Sequence, residues 1–400
     1  MDLTSDHPFW PLKSGLGATY PFLSCDTECD VAVIGAGITG SMVAHRLSKD
    51  GHSVVVIDGR DVCRGSTSAS TALLQYEIDV SLTEMSKLIG ADDAAKAYRL
   101  SHKSIDDLEQ LVHEIGSTCS FQRKQSIHFA STRKAGKALA DEHRARKSTG
   151  LDCNYHDAGD LYDRFGLTGV AALSNQQSAS CDPYRLAHDL LANAVQSGAK
   201  VFDRTQVTQF KCSSDRVSLT TSRDASVSAK RVVIATGYEA HTMLKERVVN
   251  LDNTYAVVSQ PLNTVAPWNS DWMLWEAKNP YLYLRCTDDN RILAGGEDDR
   301  FHSPARRDAS IKKKARLIHA KIRELIPGLD WEVEFAWAGT FVTTKDGLAY
   351  VGETPEYPGC YFTLGFGGNG ITFSVIATSL IAEMMHGHHS RDAHLFRFGR

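Results

Sequence analysis

The sequence lacks an excess of charge of either sign. Its 400 residues include 44 lysines and arginines and 48 aspartates and glutamates, which gives a formal net charge of −4. Proteins that bind nucleic acids or anionic membranes usually carry a large basic excess, so neither is expected as a partner. Internal repeats and low-complexity segments are absent as well. A soluble chain of this length usually forms two domains.

The sequence also lacks a disulfide framework, and Cys25 and Cys29 have no second Cys/His pair at metal-ligand spacing near them. The nine cysteines are odd in number and irregularly spaced, without a Cys-x-x-Cys pair. This pattern is typical of reduced thiols in a cytoplasmic protein, and no metal site is expected. The N-terminus lacks the basic and apolar regions of a secretory signal. The longest apolar stretch, residues 371–385, is shorter than a membrane span, so it is predicted to be a buried helix and no integral membrane segment is expected.

A strand, a glycine-rich turn, a helix and a second strand follow an N-terminal arm that covers residues 1–29. Residues 30–35 (DVAVIG) and 53–58 (SVVVID) are β-branched runs that predict buried parallel strands, and residues 40–49 between them have helical spacing. Together they form a βαβ unit. Further helices are predicted over residues 81–115, 134–148, 183–198 and 309–325. Further strands are predicted over residues 122–130, 200–211, 216–221, 229–235, 332–342, 348–351 and 360–364.

The turn in this βαβ unit matches the dinucleotide-binding pattern G-x-G-x-x-G. Gly35 permits the tight turn, Gly37 lets backbone amides approach a pyrophosphate, and Gly40 allows the helix to pack against the strand. The helix N-terminus offers unpaired N–H donors and the positive end of its dipole. Asp58 ends the second strand, 23 residues after Gly35, and can accept hydrogen bonds from ribose hydroxyls. The chain is therefore predicted to bind FAD or NAD.

Three later segments favour FAD over NAD. A loop of small residues covers 64–71 (RGSTSAST), and a strand at 233–237 ends in Ala-Thr-Gly. Residues 364–371 (LGFGGNGI) form a second glycine-rich turn before a helix. Together these segments suit an extended cofactor with two ends to hold. They argue against an NAD-dependent dehydrogenase, which is the alternative.

The ordered motifs resemble the FAD-dependent D-amino-acid oxidase/sarcosine oxidase superfamily, the DAO-type flavoenzymes, and most of all their amine and γ-glutamylputrescine oxidase branch. The resemblance extends over nearly the whole chain, through these motifs and through YLYLR, ILAGGED, WAGTFVTTKDGLAYVG and the closing LFRF. It implies an α/β fold with a Rossmann-like FAD-binding domain of the GR2 type and an interleaved antiparallel-sheet substrate domain (α+β). The implied FAD-binding segments are residues 1–80, 181–245 and 336–400, and the implied substrate-domain segments are residues 81–180 and 246–335.

The resemblance also implies which residues contact FAD. They lie in the two glycine-rich turns, the acidic strand end, the small-residue loop and neighbouring strands, and Val207 would act through its backbone. They are Gly35, Gly37, Ile38, Thr39, Gly40, Asp58, Gly65, Ser66, Thr67, Thr71, Val207, Ala235, Thr236, Gly237, Trp337, Gly339, Gly367, Gly368, Asn369, Gly370, Ile371 and Thr372. The turn at 367–370 would lie near the pyrimidine side of the flavin, where a helix N-terminus stabilises negative charge on the reduced ring.

Three positions depart from the family pattern. Gly339 stands where monomeric sarcosine oxidases have the cysteine that attaches FAD, so non-covalent FAD is expected. Ala294 lies in the stretch where those enzymes use a lysine to activate oxygen, which leaves oxidase and dehydrogenase as alternatives. Phe341 stands where glycine-oxidase-like members have an arginine for the substrate carboxylate. A simple α-amino acid is therefore a less expected substrate, unless Arg285 binds its carboxylate.

Tyr76, Tyr283 and Arg285 are the candidate substrate-facing residues. Tyr281, Tyr283 and Arg285 alternate on one predicted strand and so share a face. The tyrosines could enclose an amine and Arg285 could pair with an acidic group, but a half-buried sheet face with a surface arginine explains the pattern equally well. Gln75 and Tyr76 follow the small-residue loop, where packing against a helix is the alternative.

Two further features leave alternatives open. Glu297 and Asp298 could attract a cationic amine, although a solvated turn is favoured. Trp337 is expected either near the flavin or in the core.

The sequence predicts an FAD-dependent oxidoreductase that oxidises a C–N bond of an amine or amino acid by hydride transfer to the flavin. The product would be an imine that hydrolyses in water. The expected partners are a small-molecule amine and either O2 or another electron acceptor. The alternatives are an FAD-dependent dehydrogenase that uses an acceptor other than O2 and a non-catalytic flavoprotein subunit.

Overall fold

The structure of the protein is a computed structural model that describes residues 4–5, 7–213, 215–278, 280–301, 303–388 and 390–400. Its α-helices in chain order are α1 (Phe9–Ser14), α2 (Ile38–Lys49), α3 (Ser66–Ala69), α4 (Leu82–Ile89), α5 (Ala91–Glu114), α6 (Arg133–Ser148), α7 (Ala158–Phe165), α8 (Pro183–Gln196), α9 (Pro304–Leu325) and α10 (Gly370–Met385). Its β-strands are β1 (Thr27–Ile34), β2 (Val54–Ile57), β3 (Leu73–Gln75), β4 (Gln122–Ala130), β5 (Asn154–Asp157), β6 (Ala171–Ser180), β7 (Lys200–Phe202), β8 (Val207–Cys212), β9 (Val217–Thr221), β10 (Ser226–Ile234), β11 (Asn250–Ser259), β12 (Trp272–Glu276), β13 (Leu282–Cys286), β14 (Ile292–Asp299), β15 (Val333–Thr343), β16 (Tyr350–Glu353) and β17 (Cys360–Leu364). Short 3-10 segments cover Gly237–Met243 and Ala393–Leu395.

The first sheet is mainly parallel. Its strand order is β16-β17-β10-β1-β2-β7, and β8 and β9 extend it as antiparallel strands beside β10. Strands β17, β10, β1, β2 and β7 run parallel. All four residues of β2 (VVVI) are buried, because a parallel sheet is covered on both faces. Helices α2, α8 and α10 pack against this sheet and share one core with β1 and β2.

The second sheet is mainly antiparallel. Its order is β15-β11-β14-β13-β12-β4-β6-β3, with β5 beside β6, and only β12 and β4 are parallel neighbours. Helix α9 packs over β11, β14 and β15, where Ile318 and Ile322 are fully buried. One face of this sheet is therefore covered by α9, and the opposite face is available to line a cavity.

The two sheets draw their strands from alternating parts of the chain. The first sheet uses residues 27–57, 200–234 and 350–364, and the second uses residues 73–180 and 250–343. This arrangement confirms the expected α/β fold with an interleaved antiparallel sheet. The exact domain limits stay a prediction, but β3 lies inside the first predicted FAD-binding segment and pairs with the second sheet. Strand β15 crosses the predicted limit between residues 335 and 336 and also belongs to the second sheet.

Two predicted elements are divided in the structure. The helix predicted over residues 81–115 is interrupted at Gly90, because a φ of +90° lies outside the helical region. The strand predicted over residues 200–211 is two strands, because the backbone N–H of Thr205 donates to Asp58 O at 2.8 Å and turns the chain between them. The N-terminal arm is more structured than expected, since Phe9 and Trp10 in α1 are each only 1% exposed.

The predicted helix over residues 371–385 is α10, and its apolar side chains are largely buried. Among the described residues, no helix combines the length and the apolar composition that crossing a membrane requires.

Candidate active site

A cavity of about 1270 Å³ lies where the second sheet faces the loops that follow the strands of the first sheet. Residues 66–81 follow β2 and residues 367–372 follow β17, and the cavity is lined by most of the first segment and by all of the second. Ligands of parallel α/β sheets bind beyond the carboxyl ends of the strands. The volume exceeds the roughly 300–1,000 Å³ of small-ligand pockets, so there is room for more than a small substrate.

The alternation of side chains along β13 determines which of them reach the cavity. Leu282 and Leu284 pack in the core under α9, and Tyr283 between them points to the opposite face, where it lines the cavity. Tyr281 and Tyr283 have ring centroids 5.7 Å apart. Burial raises the pKa of Tyr283 to about 12, so its hydroxyl stays protonated. Tyr283 thus lies in the cavity wall, and its role toward a substrate stays a prediction.

The first glycine-rich turn lies at the carboxyl ends of β1 and β10. A Cβ on Gly40 would lie 1.8 Å from Gly35 O, and a Cβ on Gly35 would lie 2.4 Å from Ala235 O. Gly35 also has a φ of +104°, which glycine adopts without strain. At Gly37 the nearest obstacle to a Cβ is Thr67 Oγ1, at 3.0 Å. The geometry thus explains Gly35 and Gly40 by packing, and it leaves Gly37 as the position where backbone can approach a ligand.

Asp58 and its neighbours hold this turn together. Asp58 Oδ2 accepts from Ala36 N at 2.7 Å and Asp58 Oδ1 accepts from Arg60 N at 2.8 Å. Burial raises the pKa of Asp58. The hydroxyl of Thr39 lies 2.7 Å from that of Ser374 in α10, so the side chain of Thr39 joins two helices and any contact to a cofactor would come from its backbone. Val207 begins β8. The residue before it, Gln206, lies against Gly59, which follows the end of β2.

Three buried side chains hold the small-residue loop by successive backbone carbonyls. Trp337 Nε1 donates to Ala69 O at 2.9 Å. Trp10 Nε1 donates to Ser70 O at 2.6 Å. Arg285 Nε donates to Thr71 O at 2.8 Å. Because Ser66 and residues 69–75 line the cavity, these bonds set the shape of one cavity wall.

Arg285, Trp337 and Tyr76 do not line the cavity. This corrects the substrate-facing expectation for Arg285, whereas Trp337 and Tyr76 take the packed position that the sequence offered as the alternative. Arg285 is 2% exposed and also donates to Cys181 O at 3.0 Å and Cys286 O at 3.2 Å, so its guanidinium is committed to backbone. Trp337 stacks on an aromatic ring of α1 and acts through the loop. Tyr76 is fully buried. A strand's alternation predicts the face of a side chain, but not how far along the strand the ligand extends.

The second glycine-rich turn forms the wall opposite the second sheet. Asn369 Nδ2 donates to Glu77 O at 2.8 Å, while Asn369 Oδ1 has no hydrogen-bond partner among the described residues. Gly368 N donates to Asp79 Oδ2 at 2.8 Å, and burial raises the pKa of Asp79. Helix α10 begins here, so its N-terminal N–H groups face the cavity. Gly339 lines the cavity as well and carries no side chain that could bond to a cofactor.

Asp298 lies in the cavity, contrary to the solvated turn that the sequence favours. The register of β11 and β14 shifts between Asn253 and Tyr255, and Glu297 has a φ of +59°, which together form a β-bulge. Glu297 turns away to pair with Lys321, and Asp298 turns inward. Burial raises the pKa of Asp298 to about 7, and the negative charges of Asp79 and Asp252 add to this effect, while the Thr254 hydroxyl and the positive charge of Lys314 oppose it. The two glycines before Glu297 are the sequence signal of such a bulge.

A buried ion-pair network at the far end of the cavity was not predicted. Arg146 Nε bonds to Glu142 Oε1 at 2.9 Å, and Arg146 Nη1 lies 3.2 Å from Glu77 Oε1, with all three side chains at most 3% exposed. His128 stacks on Trp275 with ring centroids 3.4 Å apart, and burial lowers the pKa of His128 well below its ordinary value. The i,i+4 spacing of Glu142 and Arg146 on α6 is the local signal that could have been used. No sequence pattern joins this pair to the other residues, which come from β4, β12 and the segment after β3.

The predicted FAD-contacting residues fall into two groups in the structure. Those that line the cavity are Ser66, Thr71, Gly339, Gly367, Gly368, Asn369, Gly370, Ile371 and Thr372. Those around the carboxyl ends of β1, β2 and β10 are Gly35, Gly37, Ile38, Thr39, Gly40, Asp58, Ala235, Thr236 and Gly237. Gly65 and Thr67 lie on the loop between the groups, and Ile38 N donates to Thr67 Oγ1 at 2.9 Å. The unpartnered Ser66 Oγ and Asn369 Oδ1 and the two helix N-termini suit FAD.

No cluster of three potential metal ligands occurs among the described residues.

Known proteins share this architecture. The family model for DAO, described as FAD dependent oxidoreductase, matches residues 30–384. Glycine oxidase of Geobacillus kaustophilus is 25% identical over 363 residues, which cover 89% of this chain and 92% of that protein. Gamma-glutamylputrescine oxidoreductase of Escherichia coli is 25% identical over 389 residues, which cover 92% and 86% respectively. The crystal structure of glycine oxidase from Geobacillus kaustophilus matches with a TM-score of 0.79 and 22% identity, over 93% of this chain and 99% of that one. Since the family match spans most of the sequence, the chain belongs to the DAO family of FAD-dependent oxidoreductases.

Proposed function

We propose that this enzyme oxidises the C–N bond of an amine or amino acid. The observation that carries the proposal is the cavity itself, which has the second glycine-rich turn on one wall and Tyr283 and Asp298 on another. Bound FAD would accept a hydride from the carbon next to the nitrogen, and the resulting imine would hydrolyse in water. The similarity to glycine oxidase and to gamma-glutamylputrescine oxidoreductase supports this substrate class.

The two groups of predicted contact residues would hold FAD without a covalent bond. The turn at residues 35–40 and the end of β10 would bind the nucleotide part, and Asp58 would accept from the ribose. The small-residue loop and the turn at residues 367–372 would bind the flavin part. Gly339 supports non-covalent binding, because glycine offers no side-chain nucleophile. The predicted domain division follows the same logic, with the first sheet serving the cofactor and the second sheet serving the substrate.

The chain's own residues would assist in three ways. The N-terminal N–H groups of α10 would stabilise negative charge that develops beside them. Tyr283 would pack against the substrate with its hydroxyl protonated. Asp298 would bind the substrate's nitrogen or accept its proton, since its pKa of about 7 suits a group that changes charge near neutral pH.

An anaerobic flavin-reduction screen tests the proposal. The full chain is reconstituted with FAD and mixed with primary amines, N-methyl amines and amino acids while flavin absorbance is followed. We expect at least one of these classes to bleach the flavin, and a panel without any bleaching would contradict the proposal. Admitting air then distinguishes an oxidase, which reoxidises quickly, from a dehydrogenase that needs another acceptor. Acid precipitation should release all FAD into solution if it is bound non-covalently. The cytoplasmic location stays a prediction, and cell fractionation would test it.

A further inference from the structure

We propose that the substrate carries at least two ammonium groups, so that this enzyme acts on an aliphatic diamine or polyamine rather than on an α-amino acid. The inference rests on the proposed amine oxidation and narrows its substrate class. It comes from the hydrogen-bonding capacity and the charge of the cavity wall.

The unpartnered buried atoms of the cavity wall call for a ligand that donates hydrogen bonds. Glu77 Oε2 and Asp298 Oδ1 are buried and have no hydrogen-bond partner among the described residues. They lie on different elements, and Glu77 is 3% exposed. Ionised carboxylate and amide oxygens can only accept, and leaving such atoms unpaired costs free energy. An alkylammonium group has three N–H donors, so more than one such group would satisfy these separated acceptors.

The charge of the wall points in the same direction. Among the described residues, the acidic side chains that line the cavity are Glu77, Asp79, Glu84, Glu142, Asp252, Glu276 and Asp298. The basic ones are Arg146, Arg247, Lys278 and Arg300. The acids therefore outnumber the bases, and a cavity with one sign of charge concentrates ligands of the opposite sign. Burial raises the pKa of Asp79, which agrees with a buried carboxyl that lacks a cation.

The bases of the wall are poorly suited to a substrate carboxylate. Arg146 is the buried one, and its guanidinium is already paired with Glu77 and Glu142. The other three, Arg247, Lys278 and Arg300, are exposed. Arg285, which the sequence offered for a carboxylate, bonds to backbone outside the cavity. The carboxylate of an α-amino acid would therefore meet a wall whose buried cation, Arg146, is already paired with two glutamates.

Aromatic rings next to these acids suit a methylene chain with charged ends. Tyr281 and Tyr283 stand side by side in the wall, and Tyr238 lines it as well. Tyrosine faces attract ammonium groups and also cover apolar carbons. The arrangement combines an acceptor on Glu77, in the segment after β3, with an acceptor on Asp298 at the β-bulge. One ligand with two charged ends can bond to both.

Flavin reduction by compounds with the same carbon chain tests the inference. The FAD-reconstituted full chain is mixed anaerobically with 1-aminobutane, 1,4-diaminobutane and 4-aminobutanoate, and with glycine and alanine. We expect the diamine to half-saturate the reduction rate at an about tenfold lower concentration than the monoamine, as one additional ion pair provides. Asp298→Asn and, separately, Asp79→Asn should reduce this ratio about fivefold or more. Asp152→Asn removes the same charge from a surface side chain that is 89% exposed and should leave the ratio unchanged.

The outcomes separate this inference from the proposed function. Flavin reduction by monoamines or amino acids at concentrations equal to or below that of the diamine overturns the inference and leaves amine oxidation standing. If none of the compounds reduces the flavin, the proposed function fails. Calorimetric binding then decides the inference, which is overturned if 1,4-diaminobutane binds no more tightly than 1-aminobutane. If one aspartate variant does not fold, the other still tests the acidic wall.

Discussion

The first glycine-rich turn offers a test that separates folding from cofactor binding. Gly37 has a φ of −81° and a ψ of −172°, which any residue adopts. A Cβ there meets only the Thr67 hydroxyl, at 3.0 Å, and that side chain can rotate. A Cβ on Gly40, in contrast, would lie 1.8 Å from Gly35 O and 2.9 Å from Gly35 C. These atoms are backbone, so α2 would have to move away by about 1.5 Å to restore normal contact.

Gly37→Ala should therefore affect mainly FAD binding, whereas Gly40→Ala should affect folding as well. We expect Gly37→Ala to change the free energy of unfolding of the apoprotein by less than about 1 kcal/mol. It should weaken FAD binding by at least about tenfold, or ~1.4 kcal/mol, because its methyl group occupies the path of the pyrophosphate. Gly40→Ala should lower the free energy of unfolding by about 1–3 kcal/mol through overpacking. Because the unfolding entropy scales with chain length, this loss lowers the melting temperature by roughly 1–4 °C. It should weaken FAD binding too.

The assay combines thermal melting of the apoproteins with titration of FAD by quenching of flavin fluorescence. Lys49→Ala, at the far end of the same helix and with a side chain 56% exposed, is the control and should match the wild type in FAD binding. An unchanged FAD affinity in Gly37→Ala would refute the placement of the pyrophosphate at this turn. A Gly40→Ala apoprotein that melts like the wild type would refute the packing argument.

Three further predictions concern the cavity. Trp337→Phe removes the N–H donor to Ala69 O and should lower the free energy of unfolding in urea by about 1–3 kcal/mol; a loss below the error of the fit would contradict a role in holding the loop. Arg146→Met leaves two buried glutamates without their cation and should lower the free energy of unfolding by about 3–5 kcal/mol. The same urea titration measures this loss. Restoration of stability when both glutamates are also neutralised would confirm the cause. The pKa of Asp298 is raised to about 7 by burial first, so the folded protein holds a proton that the unfolded chain releases. The contribution of Asp298 to stability should thus fall as pH rises from about 4 to 7. Through pH 7 the affinity for a cationic amine should rise, because Asp298 becomes charged. Asp298→Asn should flatten that rise in calorimetric titrations.

Local patterns predicted the first sheet because its strands are buried on both faces. Residues 30–35 and 53–58 read as continuous β-branched runs, and the structure has β1 and β2 there. The G-x-G-x-x-G turn could be predicted for a similar reason, since close contacts within the βαβ unit and with the end of β10 require glycine at positions 40 and 35. Gly90 shows the limit of such patterns: the apolar spacing continues across it, and only its φ of +90° separates α4 from α5.

The substrate side of the cavity depends on contacts that no local pattern carries. Arg146 reaches the cavity from α6 and meets Glu77 from a segment 69 residues earlier. Asp298 depends on a bulge whose inward direction is set by pairing with β11. Arg285 was assigned to a substrate from its strand face, yet its partners are carbonyls of distant segments. Side chains that serve a cavity and side chains that serve a neighbouring loop have the same sequence pattern.

The small-residue loop explains why the family resemblance runs through the whole chain instead of through one motif. Its carbonyls at Ala69, Ser70 and Thr71 are bonded by Trp337, Trp10 and Arg285 in turn. These donors come from β15, from the N-terminal arm and from β13, so the cavity wall takes its shape only when all three segments are in place. Glycine-rich turns can be recognised one by one, because each is built from its own neighbours. The loop that would hold the flavin is fixed by donors from distant parts of the chain, so a substitution far from it in sequence can change the cofactor site through this loop.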